Sequence, residues 1–186
     1  MDFLTVTQNH NGSYFTRTKA NANKSDLTCA VAIDFTTKGE LLTKQEAGNR
    51  YIGLNLNTPS IDCARKLYQA LVQHNAKSLN LAGNGMFTLS KHKISQRRVN
   101  LWVYDMLSLI KAHYPIQIQL MSGGQTGVDI AAAVAGPLLN IETEINFPLG
   151  YKQRLPSGLD VLQTLDEVMN AVEMMQQELR DDMRNA

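Results

Sequence analysis

The sequence predicts an α/β fold, a three-layer sandwich in which helices cover both faces of a mostly parallel β-sheet. Three observations lead to this prediction. Short apolar segments alternate with segments whose apolar residues recur at helical spacing. The connections between them are short, and two of them are rich in glycine. Finally, 186 residues with 44% hydrophobic content are enough for one substantial core and too few for two full domains.

The N-terminal part is interpreted as a β-rich elaboration over residues 1–57, packed on a core formed by residues 58–186. Residues 1–28 are rich in Asn, Thr, Ser and Lys, which predicts a loose hairpin or loop. Small and large apolar residues alternate over residues 29–35, and a second apolar run follows at residues 51–56. Each of these two runs predicts a strand.

The core alternates helices and strands along the chain. Its predicted elements are a helix from Ser60 to about residue 74, a strand over 78–82, a helix through 99–110, a strand over 116–121, an alanine-rich helix over 128–135 and a strand over 141–147. Pro115 ends the second helix. The C-terminal segment predicts a long amphipathic helix, because its apolar residues share one stripe. The stripe consists of Leu162, Leu165, Met169, Val172, Met175, Leu179 and Met183.

Charge and cysteine content argue against several classes of partner. Lys and Arg number 18 against 17 Asp and Glu, so no broad positive field attracts a nucleic acid. No run approaches the roughly 20 apolar residues of a membrane span, and the N-terminus lacks a basic segment followed by an apolar one. No membrane contact and a cytoplasmic location are therefore expected. Cys29, Cys63 and the 4 histidines lack the spacing of metal ligands, so no metal site is expected.

A turn rich in glycine follows the predicted strand over 116–121 and precedes the alanine-rich helix. It consists of Ser122, Gly123, Gly124, Gln125, Thr126 and Gly127. Glycines permit positive φ and close backbone approach, so the N–H groups of such a turn can converge on an anion at the positive end of the following helix. Asp129, in the first turn of that helix, is the best candidate for a contact to a sugar hydroxyl or for catalysis. The same glycines also suit a tight turn packed on a neighbouring strand, but the strand, turn and helix context favours an anion site.

Other residues are candidates for the same pocket. Gly83, Asn84 and Gly85 follow the first strand of the core and form either a wall of the pocket or only a tight turn. Lys152 and Arg154 follow the last predicted strand of the core. They either reach a phosphate from the rim or are solvated loop charges.

The Gly-rich turn also carries a family resemblance. Residues 121–129 (MSGGQTGVD), followed by residues 146–151 (NFPLGY) and Arg154, resemble the SGGQTGVD…PKG pattern of molybdenum-cofactor carrier proteins. Those proteins are similar to the other members of the SLOG group of Rossmann-like nucleotide-sensing domains, which includes DNA-processing protein A and the cytokinin-activating phosphoribohydrolases. The resemblance covers roughly residues 78–160 and implies a Rossmann-like three-layer fold.

The resemblance also implies where the ligand lies. It places a ligand phosphate over Gly123, Gly124 and Gly127 and a polar contact at Asp129, with residues 83–85 on the facing side of the pocket.

The chain departs from the family pattern in three respects. Leu149 stands where the carrier pattern has lysine, which removes an anion contact. Gly136 and Pro137 interrupt a helix that the pattern leads one to expect. The GGxGTxxE pattern of the hydrolytic relatives, with its glutamate, is absent.

The expected function is binding of a phosphate-bearing, nucleotide-derived small molecule, nucleotide-like or molybdopterin-like, by a sensor, carrier or sponge. One alternative is a hydrolase or transferase acting on the N-glycosidic bond of a nucleoside phosphate, with Asp34, Glu40 or Glu144 as further acids or bases. Another is a non-catalytic interaction module. The methionines of the last helix suit core packing or a subunit interface, and a homo-oligomer is expected.

Overall fold

The computed structural model describes residues 3–185, which form a six-stranded sheet, a two-stranded hairpin and two layers of helices. The strands of the sheet are β1 (Leu4–Gln8), β2 (Leu27–Ala32), β3 (Tyr51–Asn55), β4 (Ser78–Gly83), β5 (Gln119–Ser122) and β6 (Thr143–Phe147). They lie in the order β1-β6-β5-β4-β2-β3, and every neighbouring pair is parallel. The predicted three-layer α/β fold is confirmed.

Helices cover both faces of this sheet. They are α1 (Tyr14–Lys24), α2 (Lys38–Ala47), α3 (Ser60–His74), α4 (Met86–Leu89), α5 (Gln96–His113), α6 (Val128–Leu138) and α7 (Leu165–Arg184). α1 and α2 pack on one face, and α3, α5, α6 and α7 pack together on the other. Short 3-10 segments lie at Gly48–Arg50 and Ser90–His92, and β7 (Gln153–Arg154) pairs antiparallel with β8 (Asp160–Val161). The elements predicted for the core after residue 58 are all present.

The N-terminal part is half of the sheet and not an elaboration packed on it. β1 pairs with β6 at one edge, and β2 lies between β3 and β4, with all of its residues buried. The hairpin or loop predicted for residues 1–28 is wrong over the described residues, because β1 and α1 form there; residues 1 and 2 lie outside them. α1 escaped detection because the side chains that it buries include Arg17 and Asn21, so it has no apolar stripe.

The direction of winding reverses between two neighbouring strands. From β2 the chain reaches β3 through α2, which packs on one face of the sheet. From β4 it reaches β5 through α4 and then α5, which packs on the other face. The connections that leave β2 and β4 therefore diverge. Such a switch point opens a crevice at the carboxyl ends of the two strands.

Helix α6 is buried from Val128 to Gly136 and lies between the sheet and α7. It runs through Gly136 and Pro137 to Leu138, so the interruption expected from these two residues is wrong. A proline in a helix leaves the carbonyl four residues earlier without its donor. Here the side chain of Gln176 on α7 donates to that carbonyl, Ala133 O, at 3.3 Å.

Helix α7 begins at a capping box, in which Thr164 and Glu167 each bond the other's backbone N–H. Val172 and Leu179 of the predicted stripe are buried, and so is Val168, which the prediction did not place on it. Leu162 is predicted on the stripe, but it lies before the helix and is exposed. Met174, on the helix, is 74% exposed. Within the described part of the chain, no helix has the length and apolar character needed to cross a membrane.

Candidate functional site

A cleft of about 900 Å³ opens at the switch point, over the carboxyl ends of β2 and β4. α1, the start of α2, α4 and the turns after β4 and β5 form its walls. The lining side chains that can carry a charge or form strong hydrogen bonds include Tyr14, Arg17, Asp34, Lys38, Glu40, Asn84, Lys91, His92, Gln125, Asp129 and Arg154.

A buried ion pair lies at the floor of the cleft. Arg17 Nη1 of α1 donates to Asp129 Oδ2 of α6 at 2.8 Å and also to the carbonyl oxygen of Gly123. Both residues are buried, with 8% of Arg17 and 4% of Asp129 exposed. Burial raises the pKa of Asp129, and the charge of Arg17 opposes that rise. Arg17 Nε is buried and has no hydrogen-bond partner within residues 3–185.

Glu40 is a second buried carboxyl group in the cleft. Thr37 caps α2 by accepting the N–H of Glu40 at 3.3 Å, which fixes Glu40 in the first turn of the helix. Glu40 is 4% exposed, and its pKa is raised to about 8 by burial, then by the negative charges of Asp129 and Asp34. Its Oε1 lies 3.4 Å from Asn84 Nδ2, whereas its Oε2 has no partner within the described residues.

Asn84 fastens the two strands at the switch point. Its Oδ1 accepts the N–H groups of Ile33 and Asp34 at 2.9 Å each, and its Nδ2 donates to the carbonyl oxygen of Asp34 at 2.9 Å. The loop after β2 is thereby held against the turn after β4. The 83–85 segment, which the sequence predicts as a wall of the pocket or a tight turn, lines the cleft, and Asn84 also fixes the turn.

Cations and aromatic rings lie around the mouth of the cleft. Lys38, Lys91 and Arg154 are exposed and line it, and Arg154 Nε lies 2.8 Å from Asp160 Oδ1. Phe15 and Phe87 line it with 54% and 38% of their surface exposed. The Lys91 Nζ atom lies 3.7 Å from the centroid of the Phe87 ring. The rim thus combines positive charge with flat apolar surface.

In the Gly-rich turn beside the cleft, other protein atoms occupy the positions that side chains would take at the three glycines. A Cβ at Gly123 would meet the Arg17 guanidinium and the Asp129 carboxylate. Gly124 has φ of +72°, and a Cβ there would lie 2.6 Å from the Phe147 ring. Gly127 has φ of +96°, and its missing side chain makes room for the backbone of the 83–85 turn. Protein neighbours and positive φ therefore account for these glycines.

The backbone of the turn bonds to Gln96, and the polar side chains of the turn bond to backbone groups. Gln96 on α5 donates to Gly127 O at 2.8 Å and accepts from Gly127 N at 2.6 Å. Thr126 Oγ1 donates to the carbonyl of Arg154 at 2.7 Å, and Gln125 accepts the N–H of the same residue at 2.9 Å. Ser122 Oγ is buried and donates to the carbonyl of Leu81. These bonds tie the turn to α5, β4 and the β7 segment.

The structure brings part of the predicted site together in the cleft. Among the predicted residues, Gly83, Asn84, Gly85, Gln125, Asp129 and Arg154 line it. Ser122, Gly123, Gly124, Thr126, Gly127 and Lys152 lie next to it without lining it. Lys152 Nζ lies 4.6 Å from the centroid of the Tyr14 ring.

Of the additional acids, Asp34 and Glu40 line the cleft, whereas Glu144 pairs with Lys24 at 3.2 Å. The sequence reasoning missed α1 as a source of site residues, and with it Arg17, Phe15 and Tyr14. Within the described residues, no group of three or more His, Cys, Asp or Glu is placed to hold a metal ion.

Together, these observations define a Rossmann-like α/β fold with a cleft at the switch point of its parallel sheet. Comparison with protein-family models and with curated proteins finds no match to this chain. Function is therefore argued from the cleft itself.

Proposed function

We propose that the protein binds a phosphate-bearing, nucleotide-derived small molecule in the cleft at the carboxyl ends of β2 and β4. One observation carries the proposal: a cleft of about 900 Å³ at the switch point combines a buried polar floor with an exposed rim of cations and aromatic rings. Clefts of this size suit small ligands, and proteins with open parallel sheets bind their ligands at the carboxyl ends of the strands, at the switch point.

The rim supports a ligand that carries both an anion and a ring. Lys38, Lys91 and Arg154 supply positive charge, and the N-terminus of α2 adds the positive end of a helix. Phe15 and Phe87 offer faces on which a base or pterin can stack. The resemblance of residues 121–129 to the molybdenum-cofactor carriers supports the same ligand class, in a sensor, carrier or sponge of the SLOG type.

Calorimetry on the full chain tests the proposal. The panel is AMP, cyclic AMP, ADP-ribose and molybdopterin, with adenosine as the matched compound without phosphate. We expect at least one phosphate-bearing compound to bind, and AMP to bind more tightly than adenosine if it is that compound. A folded protein that binds none of them contradicts the proposal.

A second candidate, cleavage of the N-glycosidic bond of a nucleoside phosphate, is favoured by the two buried carboxyl groups. With its pKa raised to about 8, Glu40 keeps a proton at neutral pH and can act as a general acid toward the leaving base. In this reaction water adds across the C–N bond, the sugar keeps the hydroxyl and the base leaves with a proton. Free adenine released from AMP by the wild type, and not by Glu40→Gln, would favour it. Binding without release would reject it.

A further inference from the structure

A small polar recess of about 60 Å³ adjoins the floor of the cleft. Among its polar lining residues, Arg17, Glu40 and Asp129 are shared with the cleft, and Asn21, Thr43 and Asn80 line the recess alone. All of these residues are buried. By its size the recess has room for a few waters or one small polar group and none for a base.

Two buried polar atoms without partners belong to residues that line this recess. Arg17 Nε is an N–H donor, and Glu40 Oε2 is a carboxyl oxygen, and neither has a hydrogen-bond partner within residues 3–185. Buried polar groups are nearly always bonded, so two unpartnered groups beside one cavity indicate that something polar occupies it. Hydroxyl groups suit both atoms, because a hydroxyl oxygen accepts from Arg17 Nε and a hydroxyl donates to, or accepts from, the Glu40 carboxyl.

Charge decides which end of a nucleotide suits the recess. The floor holds one guanidinium against two carboxyl groups, and Arg17 is already paired with Asp129 at 2.8 Å. At neutral pH Glu40 keeps its proton, so a phosphate there would meet no unpaired positive charge and would lie beside the Asp129 carboxylate, whereas a neutral hydroxyl would not be repelled. At the rim, Lys38 and Lys91 outnumber Asp34, which is the one acid that lines this part of the cleft among the described residues, while Arg154 is paired with Asp160. The two ends of the cleft therefore favour different parts of one ligand.

We propose that the ligand is a ribonucleotide whose ribose hydroxyls enter the recess between Arg17 and Glu40 while its phosphate stays at the rim beside Lys91. This inference rests on the proposed function and fixes the orientation of the ligand. It also assigns Glu40 a role in ligand selection.

The test compares AMP with two compounds that each lack one of its parts. The compound 2′,3′-dideoxy-AMP lacks both ribose hydroxyls, and adenosine lacks the phosphate. On the wild type we expect the dideoxy compound to bind at least about tenfold more weakly than AMP, since buried hydrogen bonds are lost. Calorimetry on the full chain gives both affinity ratios.

Two variants locate the two ends of the ligand. Glu40→Ala should clearly lower the ratio of AMP to dideoxy affinity, because only the Arg17 contact then remains, and leave the ratio of AMP to adenosine affinity unchanged. Lys91→Ala, on the exposed rim, should lower the ratio of AMP to adenosine affinity and leave the ratio of AMP to dideoxy affinity unchanged. Glu40→Gln is the second variant, to be used if Glu40→Ala does not fold. Its amide has nearly the size of the carboxyl group and still offers an acceptor and a donor, so this variant should retain part of the preference for AMP.

Each outcome decides a different point. Equal binding of AMP and the dideoxy compound to the wild type overturns the inference, because the recess then holds only water, and leaves the proposed function standing. The inference is also overturned if Glu40→Ala lowers the ratio of AMP to adenosine affinity and Lys91→Ala lowers the ratio of AMP to dideoxy affinity. The ligand then lies in the opposite orientation. Binding of molybdopterin without any binding of AMP also overturns it. If no compound binds, the proposed function itself fails.

Discussion

The Gly-rich turn over residues 122–127 and the N-terminal segment over residues 14–40 lie on two sides of the same cleft and contribute to it in opposite ways. The turn stands out in the sequence, yet its glycines face protein and its polar side chains bond to backbone. The N-terminal segment is inconspicuous, yet it supplies Arg17 and Glu40 to the floor and Lys38 to the rim. The turn holds the cleft in shape, and the N-terminal segment provides much of its chemistry.

This difference means that a conspicuous motif can lie beside a cleft without supplying most of the polar groups that line it. The turn fixes where β5 meets α6, and any α/β protein with this close packing needs glycine there. Buried charge such as that of Arg17 is disfavoured unless a partner is supplied from elsewhere in the fold. The following predictions separate the two regions by stability and by binding.

The largest effect is expected for Arg17→Met, which leaves Asp129 as an unpaired buried carboxylate. Breaking a buried pair in this way should lower the free energy of unfolding by about 3–5 kcal/mol. Urea denaturation measures it. Lys24→Met is the matched control on the same helix, because Lys24 pairs with Glu144 at the surface and should matter by less than about 1 kcal/mol. Equal effects of the two variants would contradict the buried pair.

Gly124→Ala should destabilise the protein by about 2–4 kcal/mol, since it adds positive-φ strain to a collision with the Phe147 ring. The control is Gly39→Ala in α2, where a Cβ meets nothing within 4 Å and stability should stay the same or rise by up to about 1 kcal/mol. Thermal melting compares the two. A fully stable Gly124→Ala protein would show that the turn is less tightly packed than described.

Stability should fall with rising pH because of Glu40. Its pKa is raised from 4.5 to about 8, so between these values the unfolded chain releases a proton that the folded protein keeps. The free energy of unfolding should then decrease by up to about 1.4 kcal/mol per pH unit from about pH 5 to pH 8. Asp129 acts in the same direction.

Urea denaturation at pH 5.5, 6.5 and 7.5, values within about that window, tests this expectation on the wild type and Glu40→Gln. The variant should have a clearly flatter profile, because glutamine does not titrate. The same slope in both proteins would show that Glu40 ionises normally in the fold.

A smaller effect is expected for Gln96→Ala. It removes both hydrogen bonds to Gly127 and should lower the free energy of unfolding by about 1–2 kcal/mol. If the turn is mainly structural, ligand affinity should change little at temperatures where the variant is folded. A large loss of affinity without loss of stability would instead assign the turn a direct role in binding.

Local patterns were enough to predict much of the fold. The helical spacing of residues 61–71 and the apolar strand over 78–82 correspond to α3 and β4. The alanine-rich run after the Gly-rich turn is α6, which is buried along most of its length. These elements owe their conformation to apolar residues that lie close together in sequence.

The floor of the cleft could not be predicted in the same way. Arg17 and Asp129 are 112 residues apart in sequence, and their contact depends on the order of the strands. α1 and α2 expose polar faces and bury polar side chains, among them Arg17 and Glu40, so no apolar stripe reveals them. The sequence offers Glu40 as one of several acids, and only the packing of α2 over β2 and β4 distinguishes it from Glu144.

The central claim, that ligand binds in the cleft at the switch point, is tested most directly at Gly39. This residue is exposed, lines the cleft and has open space where a side chain would go. Gly39→Trp should therefore fold normally and fill the cleft, and Gly39→Ala should leave it open. With the tightest phosphate-bearing compound of the panel, calorimetry should find a loss of at least about 100-fold in affinity for Gly39→Trp and less than about threefold for Gly39→Ala. Wild-type affinity in a folded Gly39→Trp protein would contradict the account and place the ligand elsewhere.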